Sequence, residues 1–68
     1  MTQALRDAIA EAVVYSGDLE DIAAGEMTVR EAVLEAIDYM TFDDAAVEDE
    51  FRAHVFTSKD YRQIERGI

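Results

Sequence analysis

The sequence has no cysteine, no proline, no tryptophan, one histidine and only three glycines among its 68 residues. Without cysteine there can be no disulfide and no thiolate metal site, so the usual staples of a small secreted scaffold are missing and a reducing compartment is expected. Without proline nothing breaks a helix from within, and Gly17, Gly25 and Gly67 stand where helices would stop. Bases are scarce as well. Six Lys and Arg face sixteen Asp and Glu, a formal net charge of -10 and a pI near 4.2, which disfavours direct binding to nucleic acid or to an anionic membrane. No apolar run reaches the length of a membrane span, and Met1-Thr2-Gln3-Ala4-Leu5-Arg6-Asp7 offers no basic leader, so the expected location is the cytoplasm.

What the chain does have is apolar residues at helical spacings. Half of its residues are hydrophobic, but many are alanine, which buries little area per residue. The expectation is an all-α fold, a compact bundle of four to five short helices forming one acidic domain over 1–68, with a thin core that a partner subunit would complete. Thr2 as N-cap starts a helix running to Tyr15, with Leu5, Ile9, Ala12 and Val13 on one stripe. Asp18 caps a short helix to Ala24, stopped by Gly25. Thr28-Val29-Arg30-Glu31 is a capping box, and Val29, Val33, Ala36, Ile37 and Met40 follow on one face. A second start signal, Thr41-Phe42-Asp43-Asp44, leads into a helix that buries Val47, Phe51 and Val55 and ends near Phe56. Thr57 or Ser58 caps a last helix carrying Tyr61, Ile64 and Ile68.

One internal similarity stands out. Met27 to Glu35 resembles Met40 to Glu48 at an offset of thirteen residues. It reads as one good start signal used twice, or as two successive helices presenting similarly spaced carboxylates, Glu31 and Glu35 beside Asp44 and Glu48.

Catalytic chemistry needs convergent groups that this chain hardly has. The only serines, Ser16 and Ser58, fall at helix boundaries where capping explains them, and His54 falls near a helix end, where the dipole explains it. No enzyme activity and no cofactor are expected. For calcium, an EF-hand loop requires alternating oxygen ligands and glycine at its sixth position. Asp18 to Val29 places Ile22 and Ala23 at positions five and six, and Asp38 to Asp49 places Phe42 and Asp43 there, so neither is such a loop and no metal site is expected. Acyl-carrier proteins are also small, acidic and helical, but their Asp-Ser-Leu attachment signature is absent and Ser16 is followed by Gly17.

The acidity itself remains. Asp7 to Glu50 holds fourteen carboxylates against the single base Arg30, a net of -13, whereas the residues from Phe51 onward carry +2. Such a concentration opposes folding by self-repulsion, and Glu31, Glu35 and Asp38 form an i, i+4, i+7 row of like charges. Residues four apart on a helix rise ~6 Å along its axis, close to the ~6.8 Å spanned by two phosphate steps of one DNA strand. In size, charge and helicity the chain resembles the acidic helical DNA-mimic proteins of phages and mobile elements, among them anti-CRISPR and anti-restriction inhibitors. That resemblance implies a non-catalytic inhibitor, in the host cytoplasm if phage-encoded, whose partner is a protein with a basic, nucleic-acid-binding surface. The residues expected to bind it are Glu31, Glu35, Asp38, Asp43, Asp44, Glu48 and Asp49, with Tyr39 or Phe42 as core residues or specificity anchors. The alternative is a self-associating adaptor or antitoxin-like homodimer in which Arg52, Arg62 and Arg66 meet the acidic body of a neighbour.

Overall fold

Four polar side chains decide where helices begin. In the computed structural model, which describes residues 1–68, five helices follow one another: α1 Gln3–Tyr15, α2 Leu19–Ala23, α3 Val29–Tyr39, α4 Ala45–Ala53 and α5 Ser58–Arg66. The Thr2 hydroxyl accepts from the Leu5 N–H and opens α1. Thr28 and Glu31 form the expected capping box, the Glu31 N–H donating to the Thr28 hydroxyl at 3.1 Å while the Thr28 N–H donates back to Glu31 Oε1 at 3.2 Å. Thr57 and Asp60 repeat that arrangement at α5. Each cap satisfies N–H groups that the first helical turn leaves without partners.

The start signal Thr41–Asp44 acts through its last residue. Asp44 is the N-cap of α4, and Asp44 Oδ1 accepts from the N–H groups of Ala46 (2.9 Å) and Val47 (3.4 Å). Met40 is already extended, and Phe42 stays outside the helix with its ring 4.9 Å from that of Phe51. The similarity between Met27–Glu35 and Met40–Glu48 therefore does not produce two equivalent helices. A helix lost between Thr41 and Asp44 is exchanged for an aromatic contact across the turn.

Two further corrections concern helix ends. Asp18 precedes α2 in helical conformation and makes no side-chain capping bond; it is instead buried, with Oδ2 lacking a partner. The α4 helix stops at Ala53, where His54 turns extended and its ring reaches Asp60 at 2.9 Å and packs on Phe56. Val55 thus leaves the periodic stripe and is 80% exposed rather than buried. Ile68, past the end of α5, is exposed too.

The core is thin, as only nine residues are buried. Leu5, Ile9 and Val13 of α1 meet Ala32, Val33 and Ala36 of α3 and Ile64 of α5. Helix α1 is the hub: α3, α4 and α5 all pack on it, α3 also touches α5, and α2 packs substantially on none of them. Beside this centre runs an aromatic file, Phe42–Phe51–Phe56–Tyr61, with ring centroids 4.9, 5.9 and 6.1 Å apart. Arg30 of α3 closes its end, the guanidinium 4.8 Å above the Tyr61 ring. The radius of gyration of 11.5 Å is close to the ~11 Å expected of a compact chain of this length. No helix is long and apolar enough to cross a membrane.

Candidate protein-binding surface

The apolar stripe of α3 faces α1, so the carboxylates between those residues face outward. Glu31, Glu35 and Asp38 are all exposed, as are Asp43, Asp44 and Asp49, while Glu48 is half-buried. The chain does little to neutralise them. Of sixteen carboxylates, only Glu48 meets a guanidinium, that of Arg52 at 2.7 Å, and only Asp60 meets His54, at 2.9 Å. Arg30, the one base in the acidic body, is spent on Tyr61.

Three of the seven expected residues have local work. Glu31 completes the α3 capping box, Asp44 caps α4, and Glu48 pairs with Arg52 four residues on. Asp38 and Asp49 stand free, with no hydrogen bond or ion pair inside the chain. Glu35, Asp43 and Asp44 are brought together, because all three line one groove where the C-terminal ends of α1 and α3 meet the turn leading to α4.

This groove, of about 580 Å³, was not foreseen from the sequence. Its apolar lining comes from Ala8 and Ala12 of α1, Ala36 of α3, and Met40, Phe42 and Val47 beyond. Tyr15 and Tyr39, the last residues of α1 and α3, stand on it with 81% and 80% of their surface exposed. Tyr39 is therefore not a core residue, whereas Phe42 is half-buried against Phe51. Glu11 joins Glu35, Asp43 and Asp44 to make four carboxylates on the groove. Glu11 and Tyr15 escaped notice because they lie on a different helix from the acidic row. The one signal was that two tyrosines each end a helix with no base in its last turn.

Two carboxylates are held below their ordinary values. For Glu50 the first cause is the hydroxyl of Thr2 and the second the Thr2 N–H, which donates to Oε2 at 2.8 Å. For Asp60 the first cause is the Thr57 N–H, at 2.9 Å, followed by His54 Nε2 at the same distance. Both are structural ties between elements and neither lines the groove. No three histidine or carboxylate side chains converge to a spacing that would hold a metal ion. Compared with models of known families, with curated proteins and with solved structures, the chain matches none.

Proposed function

We propose that the chain acts without catalysis, as an inhibitor that covers a basic, nucleic-acid-binding surface of another protein. One observation supports this reading above the others: among sixteen carboxylates a single one is met by a guanidinium of the same chain. A protein that needed charge only to stay soluble would intersperse both signs. Here Glu35, Asp38, Asp43 and Asp49 make no hydrogen bond or ion pair inside the chain and are left for an external cation. Phosphate-like spacing along α3 makes a nucleic-acid-binding surface the natural complement, and a CRISPR or restriction complex is the partner class that the resemblance adds.

The test uses the tagged protein as bait in lysate of the source cells. Captured proteins are eluted separately with excess duplex DNA and with rising sodium chloride. Capture of a nucleic-acid-binding protein that DNA displaces is the expected result, and Glu35→Gln, Asp38→Asn and Asp43→Asn together should weaken it roughly three- to a hundredfold, each exposed charge contributing ~0.2 to 1 kcal/mol. A captured partner that DNA cannot displace would overturn the reading.

A second reading, self-association, is favoured by the exposed Val14, Leu19 and Leu34, none of which lines the groove. Light scattering after gel filtration decides it, since a monomer at micromolar concentration leaves it without support.

A further inference from the structure

We infer that the groove at the C-terminal ends of α1 and α3 is the docking site for an arginine-bearing apolar segment of a protein partner, with Tyr15 and Tyr39 as the rings that receive the guanidinium. The inference rests on the proposed function for the sign of the partner's charge and adds where and how that partner is gripped.

Four features of one place call for the same ligand chemistry. First, the groove is apolar through Ala12, Ala36, Met40, Phe42 and Val47, and burying such surface requires an apolar occupant. Second, Glu11, Glu35, Asp43 and Asp44 surround it, and no base of the chain lines it. Third, helices α1 and α3 both end there with no basic residue in the last turn. Their partial negative charges are thus uncompensated, and Asp38 in the last turn of α3 deepens the deficit. Fourth, Tyr15 and Tyr39 offer exposed aromatic faces, which attract cations and guanidinium above all. The molecule already makes this contact once, where Arg30 lies 4.8 Å over Tyr61. A simple anion or a neutral apolar ligand would satisfy at most one of the four. A second copy fits poorly because it would bring a net charge of -10 against another of -10.

The test is a titration of isotope-labelled protein with a synthetic helical peptide bearing arginine and leucine on one face, followed by amide and tyrosine-ring resonances. Two control peptides replace leucine by serine or arginine by lysine. The parent should show saturable shifts confined to the groove, and both controls should bind several-fold more weakly. Replacing Tyr15 and Tyr39 together by alanine should weaken binding roughly tenfold, and by phenylalanine should largely restore it, because the ring face carries the contact. Both side chains are exposed, so neither variant should unfold. Matched charge removals complete the test: Glu11→Gln, Glu35→Gln and Asp43→Asn should weaken binding more than Glu26→Gln, Glu31→Gln and Asp49→Asn, which lie off the groove, although each set removes three charges.

Equal loss from both sets, with the alanine variant binding like the parent, would overturn the groove while leaving the acidic-surface reading standing. A lysate partner that DNA cannot displace would overturn that reading while leaving the peptide result untouched. Groove resonances that shift with protein concentration alone would identify a second copy as the occupant and would also overturn the inference.

Discussion

Glu50 shows how differently one carboxylate in sixteen can be used. It lies on α4 but accepts from both the N–H and the hydroxyl of Thr2, the residue that caps α1. The cap of the hub helix is thereby tied to α4. Because the folded state holds Glu50 below its ordinary value of 4.5, its contribution is full above that value and is lost as pH falls through the lower, folded one. Glu50→Gln should accordingly lower the melting temperature at neutral pH, and the gap to the parent should close on acidification below about pH 4.5. A gap independent of pH would mean that Glu50 acts through shape alone. A second residue-scale prediction concerns Gly17, which follows α1 with φ +83 and has open space where a Cβ would be. Gly17→Ala meets no clash, so its cost is the backbone strain alone, about 1 kcal/mol, or a drop of about 4 to 8 °C in a domain of this size.

Helix α5 begins at a local capping box that is also tied to the end of α4. Asp60 Oδ2 receives the Thr57 N–H, the Thr57 hydroxyl and His54 Nε2, so one oxygen joins the cap of α5 to the end of α4. Thr57→Ala removes the cap and should cost about 1 kcal/mol. Because Tyr61 lies on the first turns of α5, the near-ultraviolet dichroism of the aromatic file should weaken with it. Asp60→Ala should also flatten the pH dependence below 3.8, the ordinary value from which the folded Asp60 is lowered, since its contribution too is present above that value and lost beneath it. An unchanged aromatic signal in both variants would show that α5 is held by Ile64 and not by its cap.

At this scale the sequence was legible wherever a helix start was local. Thr2, Thr28 and Thr57 each bond within three residues, so spacing suffices to find them. Thr41 against Asp44 could not be settled locally, because the choice turns on Phe42 reaching Phe51. Val55 has the spacing of a buried residue and loses that place because α4 ends at Ala53, where His54 turns toward Asp60. The acidic half of the candidate surface was visible as charge. Its groove was not, because it joins residues of α1, α3 and the turn before α4 that no local pattern relates.

For the molecule as a whole, charge is the term that environment can change most readily. A net charge of -10 is confined to a body of 35 × 23 × 17 Å, and the screening length grows from ~10 Å at 0.1 M salt to ~30 Å at 0.01 M, so repulsion acts across most of the protein in dilute buffer. Sodium chloride should raise the melting temperature, and the gain should be greatest at the low end of the range. The capping geometry sharpens which acids are responsible. Glu31 belongs to the α3 capping box and lies at the positive end of that helix, where a carboxylate is favourable. Asp38 sits in the last turn of the same helix, at the negative end, three residues from Glu35, so it is unfavourable twice over. Glu35→Gln with Asp38→Asn should therefore stabilise by up to about 1 kcal/mol in low salt, and the advantage should fade as salt rises. Glu31→Gln should bring no gain. Thermal melts of the three proteins across a salt series give the comparison directly. If Glu35→Gln with Asp38→Asn melts below the parent in dilute buffer, those carboxylates support the fold, and the case that their charge is kept for a partner fails. If it melts above the parent and binds that partner more weakly, the same two charges oppose folding and serve binding.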